Sequence, residues 1–342
     1  MIIPIYRISY TSIRLLGEFF DKLFFYNYKN AVLKNPVFLI GHPRSGTTFL
    51  HKFILKNCTE FKGMYLWEMI FSSLTLRWLI RPILPYLIRK FPKNMYDPNI
   101  HKTGLDEAET DDVALFFRNF EGMFYWLYFS AWKTFTSFDN LKDDLIKQSK
   151  LEKTIKYLEI LHKKNIYLTG SKKRLFSKSF SLVMDMDKLY AKFKNPKIIV
   201  LLRDPIEVIP SSISLANNVQ KNINNLEKLS DQKKQVYYGN LYNASLSFFK
   251  FFDDQITDNV KLKESILLIS HKELKEDFEN TMNKICDYCE IEQTSELLDA
   301  VKKQATKQPN FKGKHVYSLE EFGFSVEQVK KDFLFLYTKY NL

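Results

Sequence analysis

Residues Val37–His51, VFLIGHPRSGTTFLH, constrain the chain more than any other stretch. Val37, Phe38, Leu39 and Ile40 have the length and character of a short buried strand. Gly41 to Gly46 then make a tight loop, and Thr47 opens an apolar-periodic stretch (Phe49, Leu50, Phe53, Ile54) expected to be helical. A strand, a glycine-bounded loop and a helix N-terminus form an anion cradle, because free backbone N–H groups and the helix dipole converge there. The G-x-x-x-x-G spacing fits a P-loop, yet Thr47-Thr48 stands where a nucleoside triphosphatase carries Lys-Ser/Thr. The cation is instead Arg44, inside the loop.

Elsewhere, apolar runs alternate with helical periodicity. Lys197–Leu202, KIIVLL, is the clearest strand, a continuous apolar run of the kind buried in a parallel sheet. Ile266–Ile269 and Ile166–Leu168 also read as strands, and Leu175–Phe176 as a strand-like approach to Lys178. This alternation predicts an α/β fold with a P-loop-like parallel sheet flanked by helices. The division is an N-terminal amphipathic helix and connection over 1–35, then a single domain over 36–342 with helical insertions over an acceptor pocket. Residues 217–235 are polar and read as a loop or an exposed helix.

Three further features support an anion-handling enzyme. Arg203 closes the KIIVLL strand, and a basic residue at a strand's carboxyl end points into the ligand crevice of a parallel sheet. Ser211 lies about two helical turns further on, where its hydroxyl can share an anion with the guanidinium. Lys178, in LFSKSFSL, offers a fixed cation upstream of that strand.

With P-R-S-G-T-T after a hydrophobic strand and Arg203 with Ser211 downstream, the chain resembles sulfotransferases that use 3′-phosphoadenylyl sulfate (PAPS). The broad branch with the carbohydrate and protein-tyrosine enzymes is the nearest in pattern. The resemblance implies that Arg44, Ser45, Gly46, Thr47 and Thr48 hold the 5′-phosphosulfate, and that Arg203 and Ser211 hold the 3′-phosphate. It also implies catalytic roles for Lys178 and Arg44 in a metal-independent, in-line transfer. The tail segment KGKHVYSLEEFG resembles the family's segment that closes on the 3′-phosphate, with Lys312, Gly313 and Lys314 as its candidates.

The general base is open. Where cytosolic members carry a histidine two residues after the lysine, this chain has Phe180. The protein-tyrosine branch suggests Glu68, in LWEM, whose pKa would rise if it were buried beside Trp67. His51, His101 and Glu107 are the alternatives.

Composition sets the remaining bounds. The net charge of +12 suits an anionic cofactor, an acidic acceptor or a membrane surface, and no nucleic-acid motif accompanies it. Cys286 and Cys289 have C-x-x-C spacing without further ligands nearby, so they read as core thiols. No uncharged apolar run reaches about 18 residues, and no signal peptide or anchor is evident, which favours the cytoplasm.

Over residues 8–28, Ile13, Leu16, Phe20, Leu23 and Phe24 share one helix face, and Arg14, Glu18, Asp21 and Lys22 another. Such a helix either docks its apolar face on the domain or lays it on a membrane. Residues 64–92 and 113–132 are rich in aromatics and are expected to line the acceptor pocket, for a small-molecule, lipid or carbohydrate acceptor. Two competing classes remain: a P-loop-type kinase, which would need Asp204 as a metal ligand, and a catalytically silent protein of the same fold.

Overall fold

The structure, a computed structural model, describes residues 2–90, 104–170, 172–308, 318–340 and 342. Five strands, β1 (Val37–Gly41), β2 (Phe61–Lys62), β3 (Arg174–Ser179), β4 (Lys197–Leu202) and β5 (Ile266–Ser270), form one parallel sheet in the order β2-β3-β1-β4-β5. The expected α/β architecture is therefore present. β1 lies in the middle, with the first crossovers running to one side and the later ones to the other, so the ligand crevice is expected at its carboxyl end.

The continuous apolar runs have a direct cause. Phe38 and Ile40 of β1, with Ile198, Val200 and Leu202 of β4, enter one core. Val37 and Leu39, with Ile199 and Leu201, enter a second core. Successive side chains point to opposite faces of a strand, so a sheet covered on both faces needs every position apolar. Cys58, Cys286 and Cys289 lie in the second core, where burial raises their pKa values to about 12, 11 and 12.

The helices α1 (Ile2–Phe24), α2 (Thr47–Asn57), α3 (Leu66–Ile70), α4 (Leu74–Ile80), α5 (Leu84–Lys90) and α6 (Asp112–Asn119) precede β3 in the chain. Ile166–Leu168 is not a strand. It ends the helix Leu151–Tyr167, whose Leu158, Leu161, His162, Asn165 and Ile166 are buried at helical spacing. Residues 217–235 are likewise mostly helical, shared between the helices Pro205–Asn224 and Asp231–Asp258 with a short 3-10 turn between them.

The N-terminal helix forms, but it docks by its polar side. Arg14, Gly17 and Asp21 are buried, whereas Ile13, Leu16, Leu23 and Phe24 are exposed. At Gly17 the backbone of α1 meets α4 so closely that a Cβ would lie 2.7 Å from Ser73 Oγ and 2.9 Å from Leu76 Cγ. Asp21 caps α4: its carboxylate accepts from the Leu74 and Thr75 amides and from the Ser73 and Thr75 hydroxyls. Lys164 pairs with the same carboxylate at 2.8 Å. Burial alone would raise the Asp21 pKa, but Lys164 and these donors hold it below the ordinary value. A negative charge at a helix N-terminus, fully hydrogen-bonded, outcompetes the apolar face for the interior position.

Candidate active site

The loop after β1 is set by two residues in left-handed backbone conformations, Arg44 (φ 75°) and Gly46 (φ 94°). Glycine adopts that conformation freely, whereas for arginine it costs about 1–3 kcal/mol, a strain characteristic of functional loops. Ser45 closes the turn, its amide and hydroxyl both donating to the His42 carbonyl at 3.1 and 2.6 Å. His42 anchors the loop on the long helix Asp231–Asp258: Nε2 lies 3.0 Å from Ser245 Oγ and the ring stacks on Phe249. Burial lowers its pKa to about 4, so the imidazole is neutral near pH 7. Gly46 then caps α2, delivering Thr47 and Thr48 to the helix's first turn.

Strand register brings the distant cations to this loop. Lys178 pairs with Leu39 across β3 and β1, and Leu201, two residues before Arg203, pairs with Gly41 across β4 and β1. Lys178 is buried and its Nζ donates to Thr48 Oγ1 at 3.1 Å. Burial pulls its pKa below the ordinary lysine value, while the charges of Glu109, Asp111 and Asp112 oppose that shift.

The end of β3 is clamped by the segment leading into α6. The Asp111 amide and the Thr110 hydroxyl donate to the Lys178 carbonyl at 2.8 and 3.1 Å. Asp112 accepts from the Ser179 hydroxyl and from the Phe180 and Ser181 amides. The acidic residues that open α6 thus also fix the backbone that carries Lys178.

Arg44, Arg203 and Ser211 form one cluster. Arg44 Nε donates to Ser211 Oγ at 3.0 Å, and Arg203 Nη1 donates to the Arg44 carbonyl at 2.7 Å. Arg203 Nε also binds Glu207 at 2.9 Å. Asp204 is engaged differently: its Oδ1 accepts from the Ile206 amide and the Tyr337 hydroxyl, which makes it the cap of the following helix.

These residues line a single crevice of about 1870 Å³, above the roughly 300–1,000 Å³ of a drug-sized pocket and large enough for two ligands. Part of its wall is basic, with Arg44, Lys178, Arg203, Lys272 and Lys303. Another part is aromatic, where Phe116 and Phe124 each meet Tyr128 and Phe124 meets Phe180 edge-on. The segment 113–132 therefore lines the crevice as expected. Of 64–92, Leu66 and Ile70 reach it, while Trp78, Leu79, Ile83 and Tyr86 point to solvent.

The candidates for the base are redistributed. Glu68 is buried, but it accepts from Lys62 Nζ at 2.9 and 3.1 Å and from the Tyr65 amide at 2.9 Å. It closes the capping box of α3 and is not among the described residues of the crevice wall. His51 is also absent from that wall: it stacks on Phe176, with Nε2 3.2 Å from the Phe176 carbonyl. Burial, with Lys178 nearby, lowers its pKa to about 3, which makes it a neutral core residue. Glu107 pairs with Lys52 at 2.7 Å. His101, Lys312, Gly313 and Lys314 lie outside the described residues.

A buried carboxylate that does line the crevice is Glu109, whose charge acts on Lys178. Its only sequence signal was membership of the acidic run LDEAETDD, in which nothing distinguishes it from its neighbours.

Comparison with known proteins agrees with this fold. The model of the sulfotransferase family matches residues 36–296. Among solved structures, the chain is similar to the sulfotransferase STF9 from Mycobacterium avium, with a TM-score of 0.76 and 15% identity over 98% of this chain and 84% of that one. It is also similar to the sulfotransferase STF1 from Mycobacterium tuberculosis H37Rv, with a TM-score of 0.68 and 18% identity over 95% and 83% of the two chains. No curated protein matches the sequence at a significant level.

Proposed function

Because the chain belongs to the sulfotransferase family, we propose that it transfers a sulfuryl group from PAPS to a hydroxyl or amine on an acceptor with an apolar body. The observation that carries this reading is the convergence of the loop with Arg44, Lys178, Arg203 and Ser211 on adjacent strand ends around one crevice. The residues suit a donor with two anionic ends. The loop amides, Thr47 and Thr48 would hold the phosphosulfate, and Arg203 with Ser211 the 3′-phosphate. Bound there, PAPS supplies the sulfuryl group, already activated as a mixed anhydride.

Transfer is in-line and loose, with negative charge growing on the sulfuryl and bridging oxygens, as in phosphoryl transfer. Lys178 and Arg44 would stabilise that charge from fixed positions in a partly dry site. Glu109 is the best-placed group to take the acceptor's proton, since it is a buried carboxylate on the crevice wall whose charge reaches Lys178. The aromatic wall favours an aryl or apolar acceptor.

Two experiments test this. Calorimetric titration with 3′,5′-adenosine diphosphate should show binding, weakened about 10- to 100-fold by Arg203→Met. No binding to the unaltered protein would overturn the donor assignment. Using radiolabelled PAPS and a panel of aryl and long-chain alcohols, Glu109→Gln should lower kcat by about 10²–10⁴-fold and remove the acid limb of its pH profile. Glu68→Gln should lower Tm and leave kcat close to its original value; the reverse pattern would return the base role to Glu68.

A further inference from the structure

The outward face of α1 is apolar along most of its length. Ile13, Leu16, Phe19, Leu23 and Phe24 stand out into solvent, Phe24 at 69% exposure. From Ile8 to Phe24 the exposed apolar residues run about 24 Å along the helix, a larger face than the scattered apolar residues of an ordinary surface. The neighbouring pair α4 and α5, the first of which packs against α1, adds Trp78 (67% exposed), Leu79, Ile83 and Tyr86. Folding has not failed to bury these residues through a misplaced helix, because the opposite side of α1 is locked by Asp21, Lys164 and the close contact at Gly17.

The exposed charges around this surface are mostly basic. Arg7 and Lys22 are exposed on α1, and Arg81, Arg89 and Lys90 on or beside α4 and α5. Residues 69–90 contain no Asp or Glu. Of the acids of α1, Asp21 is buried against Lys164 and the partly exposed Glu18 is paired with Arg14.

We propose that α1, with α4 and α5, lies flat on an anionic lipid bilayer, the apolar side chains entering the interface and the basic side chains meeting the headgroups. An apolar stripe flanked by Lys and Arg, with a Trp and a Tyr at the boundary, is the pattern of an interfacial helix. Among the described residues no helix is long and apolar enough to cross a membrane, so contact is with one leaflet. A second copy of the chain is the poorer fit, since two such faces would bring like charges together, whereas anionic headgroups neutralise them. The surface also backs onto the crevice. Tyr10, on the docked side of α1, donates to the Ile70 carbonyl and its ring lies 5.9 Å from that of Phe117, and both Ile70 and Phe117 line the crevice.

The test is co-sedimentation of the full chain with vesicles. Binding is expected to equimolar phosphatidylcholine and phosphatidylglycerol, reduced by high salt, and much weaker to phosphatidylcholine alone. The variant Leu16→Asp/Phe19→Asp/Leu23→Asp should lower the partition coefficient about 100-fold or more while keeping Tm and the affinity for 3′,5′-adenosine diphosphate. Absence of vesicle binding by the unaltered protein overturns the proposal. So does a dimer in sedimentation velocity that the same variant dissociates, which would assign the face to self-association. Equal binding to neutral vesicles overturns the anionic-lipid assignment. Failure to bind the nucleotide would sink the donor assignment and leave this one standing.

Discussion

Lys178→Met is expected to lower kcat for sulfuryl transfer by about 10²–10³-fold, the usual cost of removing one preorganised charge from a transition state. The nucleotide product should still bind with an affinity close to that of the unaltered protein, because the lysine's partner in the loop is the Thr48 hydroxyl and the remaining loop contacts are independent of it. Selective loss in kcat is the mark of an interaction made chiefly in the transition state. The direction of the Lys178 pKa adds a second readout. Burial lowers it, so the cation loses its proton at lower pH than an ordinary lysine, and the rate should fall on the alkaline side correspondingly early. Lys178→Met should abolish that alkaline limb. An unchanged kcat, or a limb that persists in the variant, would remove Lys178 from the chemistry.

Asp21→Ala should cost about 3–5 kcal/mol of stability, read by chemical denaturation, because it leaves Lys164 buried without its carboxylate and uncaps α4. Adding Lys164→Met should recover part of the loss, since the orphaned charge is then gone. The same carboxylate sets a pH dependence. Its folded-state pKa is depressed below 3.8, so its stabilisation is fully present above that value. It is lost as pH falls through the folded value. Asp21→Ala should therefore flatten the acid limb of the stability curve. A variant as stable as the parent at pH 7 would show that α1 is held by other contacts.

Local patterns were legible wherever a physical demand falls on neighbouring residues. The run VFLI had to be a short buried strand and Gly41 to Gly46 a tight loop after it, whereas the left-handed backbone at Arg44 had no signal of its own. Lys178 and Arg203 were singled out near strand ends and Ser211 on the helix that follows, and all three reach the loop or one another. Ile166–Leu168 misled because three apolar residues have no period of their own. Only the buried positions from Leu158 to Ile166 reveal the helix to which they belong.

Glu68 and His51 are placed away from the crevice for another reason. A carboxylate beside a tryptophan and a histidine one turn past a phosphate loop have the chemistry of a base. Direction in space decides whether they meet the ligand, and neither is on the described crevice wall. Glu68 turns back to Lys62 and its own helix N-terminus, and His51 into the packing against Phe176. Glu109 was one acid among several in a run.

By itself, then, the sequence determined the parallel α/β sheet, the tight loop after its central strand and the cations near the strand ends. Each follows from the burial of contiguous residues or from backbone geometry confined to a few positions. Tertiary structure alone decided which carboxylate joins Lys178 at the crevice and which side of the N-terminal helix faces the domain. Amphipathicity specifies that α1 has two faces, but not which is turned inward. That choice was made by Asp21, whose donors come from a segment some fifty residues away and from Lys164 far beyond it, and by Gly17, which lets α4 approach. The result is a polar face buried by specific hydrogen bonds and an apolar face left outside.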